Sequence, residues 1–362
     1  YDQELAEQLE EQYQDALLLD KDSEAYKEAM SAYNQAVAAE RLRQWRNRCV
    51  SDGYEPGSTF KILTLAAALD SGAVTTADTF YCGGSEKIEG REQILNCWNH
   101  AGHGSETTAQ ALQKSCNIAF AHIGLRTGGG TLYDYCRAFG LMEQTGIDLP
   151  GEADSLYFSE DELNIVELAT TSFGQNFSVT PIQMITAIAA VANGGYLVQP
   201  HVVDRMLDSD GNIVKTTDTS YKRQVISEDV SKRMTAILQK NATSESGKNG
   251  YVAGYRVAGK TGTSEKVALY NAEQAEGNDR GMQYVVSYGG YAPADDPQYA
   301  LLVFYDEPQI GGASGGTQAG PIFAAIMEEV LPYLGVDPQY TESEYENLSA
   351  TAPNVIGMTM AE

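Results

Sequence analysis

Eight residues, Tyr54-Glu55-Pro56-Gly57-Ser58-Thr59-Phe60-Lys61, constrain this chain more than any other stretch. The Pro-Gly pair stops the preceding chain. The apolar run that follows, Ile62, Leu63, Leu65, Ala66, Ala67, Ala68 and Leu69, predicts a helix with Ser58 at its start. Ser58 and Lys61 are then one turn apart on one face. A hydroxyl at a helix start with an amine one turn on is a nucleophile with a base in reach. The plainer alternative is an N-cap serine followed by a surface lysine.

Two further patterns decide between them. Ser115-Cys116-Asn117 and Lys260-Thr261-Gly262-Thr263 complete a set, S-x-x-K, S-x-N and K-T-G, each present once and in that order. With this trio the chain resembles, over roughly residues 41 to 340, the transpeptidase domain of a class B penicillin-binding protein of the Gram-positive type. The likeness extends to Trp45-Arg46-Asn47-Arg48-Cys49-Val50-Ser51-Asp52, to Gly174-Gln175, to Val179-Thr180-Pro181 with Gln183, and to Ala192-Asn193-Gly194-Gly195. One departure is the middle of S-x-N, Cys116 where Ser is commoner.

The resemblance implies an α/β (α+β) fold, an antiparallel sheet flanked by helices plus a helical subdomain that carries S-x-N, with the site in the cleft between them. It implies acyl transfer on the terminal D-Ala-D-Ala of peptidoglycan stem peptides, and acylation by β-lactam antibiotics. Ser58 is the expected nucleophile. A serine hydroxyl needs a base, and none of the four histidines falls in the motifs. Lys61 can serve if burial and a neighbouring cation, Lys260, keep it neutral. Ser115 would relay a proton, and Asn117 would offer its amide to Lys61 and to a substrate carbonyl. Backbone N–H groups of Ser58 and Thr263 would form the oxyanion hole. Thr261, Gly262 and Thr263 would hold the substrate carboxylate with Lys260.

The expected domains are an acidic helical lead-in at 1–44, the transpeptidase domain at 45–340, and at 341–362 a linker with the start of a PASTA-like repeat, from Thr351-Ala352-Pro353. The formal net charge of −26 argues against nucleic acid and anionic membrane surfaces as partners. No run of about 20 apolar residues is present. The chain opens on Tyr-Asp-Gln rather than Met, so it reads as a fragment whose membrane anchor lies elsewhere. The resemblance then places it on the extracytoplasmic face of a bacterial membrane, with division or elongation machinery as partners.

Of five cysteines, Cys82 and Cys97 flank an apparent hairpin and could bridge in an oxidising compartment. Cys97, His100 and His103 make a zinc-like C-x2-H-x2-H behind Cys82. That spacing fits no standard finger, and a Cys-Trp followed by Gly-His-Gly is common in the resembled family, so no metal or cofactor is expected.

Patterning predicts one or two helices in 1–44, a hairpin from Phe80 to Cys97, helices at Thr107–Lys114, Ile118–Leu125, Leu132–Phe139, Ile182–Ala192, Val230–Gln239 and Pro321–Leu334, and strands through Lys260, at Tyr284–Tyr291 and at Tyr299–Tyr305. Other readings stay in view. A serine β-lactamase or β-lactam sensor carries the same trio, and a division scaffold would need none of it. Gly254 to Thr261 matches the P-loop pattern of a nucleotide-binding enzyme, but residues 249–253 make a poor preceding strand.

Overall fold

The computed structural model describes residues 3–244, 247–276, 281–309 and 312–340, so the expected PASTA-like start lies outside the described residues. The chain divides into two units, Tyr1–Ser51 and Asp52–Glu362. In the first, α1 (Gln3–Leu17) and α2 (Glu24–Trp45) form a helical hairpin. Ser23 caps α2 by accepting the Tyr26 N–H at 3.1 Å. Tyr13 and Tyr33 meet across the pair with ring centroids 5.1 Å apart.

The second unit begins with a 3-10 turn, Gly57–Phe60, that runs directly into α3 (Lys61–Asp70). Nine of the ten residues of α3, Lys61 through Leu69, are buried, so this helix is an axle of the core rather than a surface element. β1 (Thr79–Cys82) pairs antiparallel with β2 (Gly104–Thr107). The hairpin expected from Phe80 to Cys97 is therefore nested differently: only Ser85–Glu86 and Leu95–Asn96 pair within it, while β1 reaches past it to β2. Gly102, at φ +81°, lets the chain fold back tightly, because a Cβ there would lie 2.5 Å from the Cys82 carbonyl oxygen.

α4 (Thr108–Gln113) starts from Thr107, which with Gln110 makes a capping box. α5 (Asn117–Thr127) and α6 (Gly129–Ala138) follow. α7 (Pro181–Ala192) has Thr180 as cap, Pro181 at its first position and Gln183 closing a second capping box. Two short strands, Arg205–Leu207 and Ile213–Thr216, flank the turn Asp208-Ser209-Asp210-Gly211. α8 (Glu228–Ala242) then leads to β3 (Ala258–Glu265). α9 (Val267–Glu276) separates it from β4 (Tyr284–Ala292) and β5 (Tyr299–Asp306), and α10 (Gly315–Tyr333) closes the fold. α10 starts six residues before the apolar run suggested: a Gly-Gly pair does not read as a helix start, yet Gly315 fits here because a Cβ would lie 2.3 Å from the Gly262 and Ser287 carbonyl oxygens.

The main sheet is antiparallel in the order β5-β4-β3, which leaves β3 at an edge. Strand alternation sends Val285, Tyr291, Leu302 and Phe304 to one face, where they join the core built on α3, α5, α7 and α8. Tyr288, Ala292, Leu301 and Val303 go to the other, against Phe323 and Met327 of α10. The chain is thus the expected antiparallel sheet with helices on both faces. Lys260 and Thr261 lie inside β3, so the P-loop pattern is not a loop opening a helix. Among the described residues no helix is long and apolar enough to cross a membrane.

Phe323 is fully buried with its ring 4.6 Å from that of Tyr288. Phe323→Ala is expected to lower unfolding free energy by about 3–5 kcal/mol, read as a drop in the urea midpoint with the slope unchanged.

Candidate active site

Lys61 is the centre of the site. Its amine is fully buried and touches four oxygens: Ser58 Oγ at 3.0 Å, Ser115 Oγ at 3.2 Å, the Ser115 carbonyl at 2.8 Å and Asn117 Oδ1 at 2.7 Å. The rings of Phe120 and Phe173 stand 5.4 and 5.9 Å from Nζ. Two of the oxygens, the carbonyl and the amide Oδ1, only accept; the two hydroxyls can also donate. A neutral amine fits this set. Its two N–H groups serve the obligate acceptors, and its lone pair is left for a hydroxyl proton.

The electrostatics agree. Burial lowers the Lys61 pKa from its ordinary 10.5 to about 8. Lys260, equally buried, donates to Ser115 Oγ at 3.0 Å and to the Thr261 carbonyl at 3.0 Å. Burial and then the charge of Lys61 push Lys260 well below 10.5. Both buried amines are thus held below the ordinary lysine range. Two ammonium groups sharing one serine hydroxyl away from water each disfavour the other's charge.

Local structure sets these positions. Ser58, in the 3-10 turn, is partly exposed, whereas Lys61 one turn on is buried. Ser115 precedes α5 with φ +54°, a left-handed conformation rare outside glycine. That kink turns both its hydroxyl and its carbonyl onto Lys61. Asn117 opens α5, and its Oδ1 accepts from Lys61, so its NH2 is the end turned away from that amine. Along β3, Thr261 and Thr263 face the open side, while Lys260, Gly262 and Ser264 face inward. Gly262 lies so close to the serine turn that a Cβ would meet the Pro56 carbonyl oxygen at 3.0 Å and Thr59 Cγ2 at 3.0 Å. Gly315 N–H at the start of α10 donates to Thr263 Oγ1 at 3.3 Å. The three motifs thus converge as the sequence suggests.

Two supports were not legible in the sequence. Gly174 accepts the Gly57 N–H through its carbonyl at 2.9 Å. It has φ +92°, and a Cβ on it would lie 2.0 Å from the Gly57 carbonyl oxygen. The Gly-Gln element therefore props the serine turn from behind. The second is a group of four buried or half-buried donors, Cys82, Cys97, His103 and Cys116, all within 4.8 Å of one another. His100 is exposed and outside it. The cysteines are free thiols, so no Cys82–Cys97 bridge is present.

An S-x-x-K helix start, an S-x-N turn and a K-T-G edge strand around one buried lysine define the class of serine penicillin-recognising proteins. The chain belongs to the penicillin-binding protein transpeptidase family: the family model described as "Penicillin binding protein transpeptidase domain" matches residues 16–328. It is 41% identical over 324 residues to Stage V sporulation protein D of Bacillus subtilis, covering 88% of this chain and 49% of that protein. It is 30% identical over 295 residues to peptidoglycan D,D-transpeptidase FtsI of Escherichia coli K12, covering 81% of this chain and 46% of that protein. The chain spans about half the length of these curated relatives. Among solved structures it resembles the transpeptidase domain of Burkholderia pseudomallei penicillin-binding protein 3, with TM-score 0.69, 29% identity and coverage of 82% and 84% of the two chains. It also resembles a mycobacterial penicillin-binding protein 3 complexed with aztreonam, with TM-score 0.73, 26% identity and coverage of 84% and 68%.

Gly174→Ala is expected to cost about 1–3 kcal/mol of stability and to slow reaction at Ser58 without touching any polar group of the site. Lys61→Met is expected to slow Ser58 acylation by about 10²–10⁴, and Lys61→Arg to do no better, because a guanidinium stays protonated. Both are checked by stopped-flow acylation with a chromogenic cephalosporin.

Proposed function

We propose that the chain is the catalytic domain of a class B peptidoglycan D,D-transpeptidase, and that Ser58 is its nucleophile. The observation that carries this reading is the single buried amine in contact with Ser58 Oγ, Ser115 Oγ and Asn117 Oδ1. The Ser58 hydroxyl donates its proton to neutral Lys61 as Oγ attacks the carbonyl of the penultimate D-Ala. The Ser58 and Thr263 backbone N–H groups would receive the oxyanion. Ser115, in contact with both lysines, passes the proton on to the leaving nitrogen as the C–N bond breaks and D-Ala departs. An amine on a neighbouring stem peptide then attacks the ester, and the proton returns to Ser58. Thr261, Gly262 and Thr263 would hold the terminal carboxylate beside Lys260. A β-lactam places its own carbonyl and carboxylate in the same positions and stops at the ester.

The 41% identity to a sporulation protein makes wall assembly during sporulation the proposed setting. By the same resemblance the domain would lie outside the cell membrane, tethered by an anchor, with wall-synthesis proteins as partners. The tight convergence of all three motifs favours an enzyme over a scaffold.

Intact mass after incubation with benzylpenicillin tests the reading. One lasting adduct per chain, lost in Ser58→Ala, is expected. An adduct that clears while penicillin is consumed would move the assignment to a serine β-lactamase, and no adduct would remove Ser58 as nucleophile.

A further inference from the structure

Around Cys116, the middle residue of S-x-N, lie the four donors Cys82, Cys97, His103 and Cys116. We propose that they form a closed, tetrahedral zinc site that fixes the Ser115-Cys116-Asn117 turn. The donors come from four separate places: the end of β1, the residue after Asn96, the loop before β2, and the residue that caps α5. Their ligand atoms all lie within 4.8 Å of one another. A tetrahedral zinc with Zn–S of about 2.3 Å and Zn–N of about 2.0–2.1 Å puts neighbouring donors about 3.5–3.8 Å apart. Cys97 Sγ and His103 Nδ1 stand 3.6 Å apart.

Two of the sulfurs receive backbone hydrogen bonds. Cys97 Sγ receives the backbone N–H groups of Asn99 and Asn117. Cys116 Sγ accepts the Ala119 N–H at 3.4 Å. A thiol is a weak acceptor, whereas metal-bound sulfurs are typically held by such outer hydrogen bonds. Cys136 shows the contrast within the same core: it is buried as a single thiol against the Tyr157 hydroxyl, 3.0 Å away. Three sulfurs and an imidazole select zinc over oxygen-loving cations, and four protein ligands leave no open position, so the ion is structural. The buried Glu106 carboxylate lies against Cys116, with Lys114 3.9 Å away. The spacing Cys97, His100, His103 fits no standard finger. What it could not reveal is that Cys116, distant in sequence, supplies the fourth ligand in place of His100.

The consequence for the site is direct. Cys116 lies between the two residues that hold Lys61, and the Asn117 backbone is tied to Cys97. The ion therefore holds the left-handed Ser115 in place from behind.

The test is zinc content of the whole chain, purified from zinc-supplemented medium and desalted. About one zinc per chain is expected, released only as about three thiols react with a mercurial, and replaced by cobalt with a thiolate charge-transfer band. Cys82→Ser and His103→Ala should each lose at least about nine-tenths of the bound metal, while His100→Ala and Ser58→Ala keep it. The wild-type measurements stand even if a ligand variant fails to fold. Less than about 0.1 zinc per chain, with these cysteines free or with Cys82 and Cys97 joined in a disulfide, overturns the proposal. The positioning role rests on the transpeptidase reading: chelation should slow β-lactam acylation at least tenfold, and an unchanged rate with zinc removed would overturn that role alone.

Discussion

Burial of one lysine amine is the constraint on which the site depends. Water stabilises an ammonium; the core around Phe120 and Phe173 does not. Because α3 is buried along almost its whole length, Lys61 has nowhere else to go. The helix that anchors the core therefore also holds that amine below the ordinary lysine range. Had the serine and lysine been on an amphipathic surface helix, the same spacing would have given a cap and a solvated cation.

The second requirement is a set of acceptors and hydroxyls that a neutral amine can satisfy. Ser115 supplies two of the four, and it does so by adopting φ +54°. Such a conformation persists only where its surroundings over-determine it. Here they do: Cys116 caps α5 on one side, and Lys260 holds the Ser115 hydroxyl on the other. The edge strand completes the arrangement, since its glycine permits the serine turn to approach within contact distance. Each motif is thus short because it reports only the residues that touch. The positioning comes from the core behind them.

Much of this was legible in the sequence, for identifiable reasons. The helix at 61–70, the capping box at Thr180 and the β4–β5 pair are specified locally, by apolar runs and turn residues. The trio of motifs converged as expected. What failed to read was long-range. The strand partner of β1 is β2, not the nearer segment, because pairing depends on how the glycine loop returns. Gly174 gave no sign of its contact with Gly57, more than one hundred residues away. Cys116 looked like a neutral filler in S-x-N, yet it faces Cys82, Cys97 and His103.

The pH dependence of Ser58 acylation by a β-lactam tests the central claim most directly. If a buried Lys61 with a pKa of about 8 is the base, only its neutral form reacts. The second-order rate constant should then rise about tenfold per pH unit below that value and level off above it. A rate constant flat from pH 6 to pH 9, or still climbing toward the ordinary lysine range near 10.5, would contradict it.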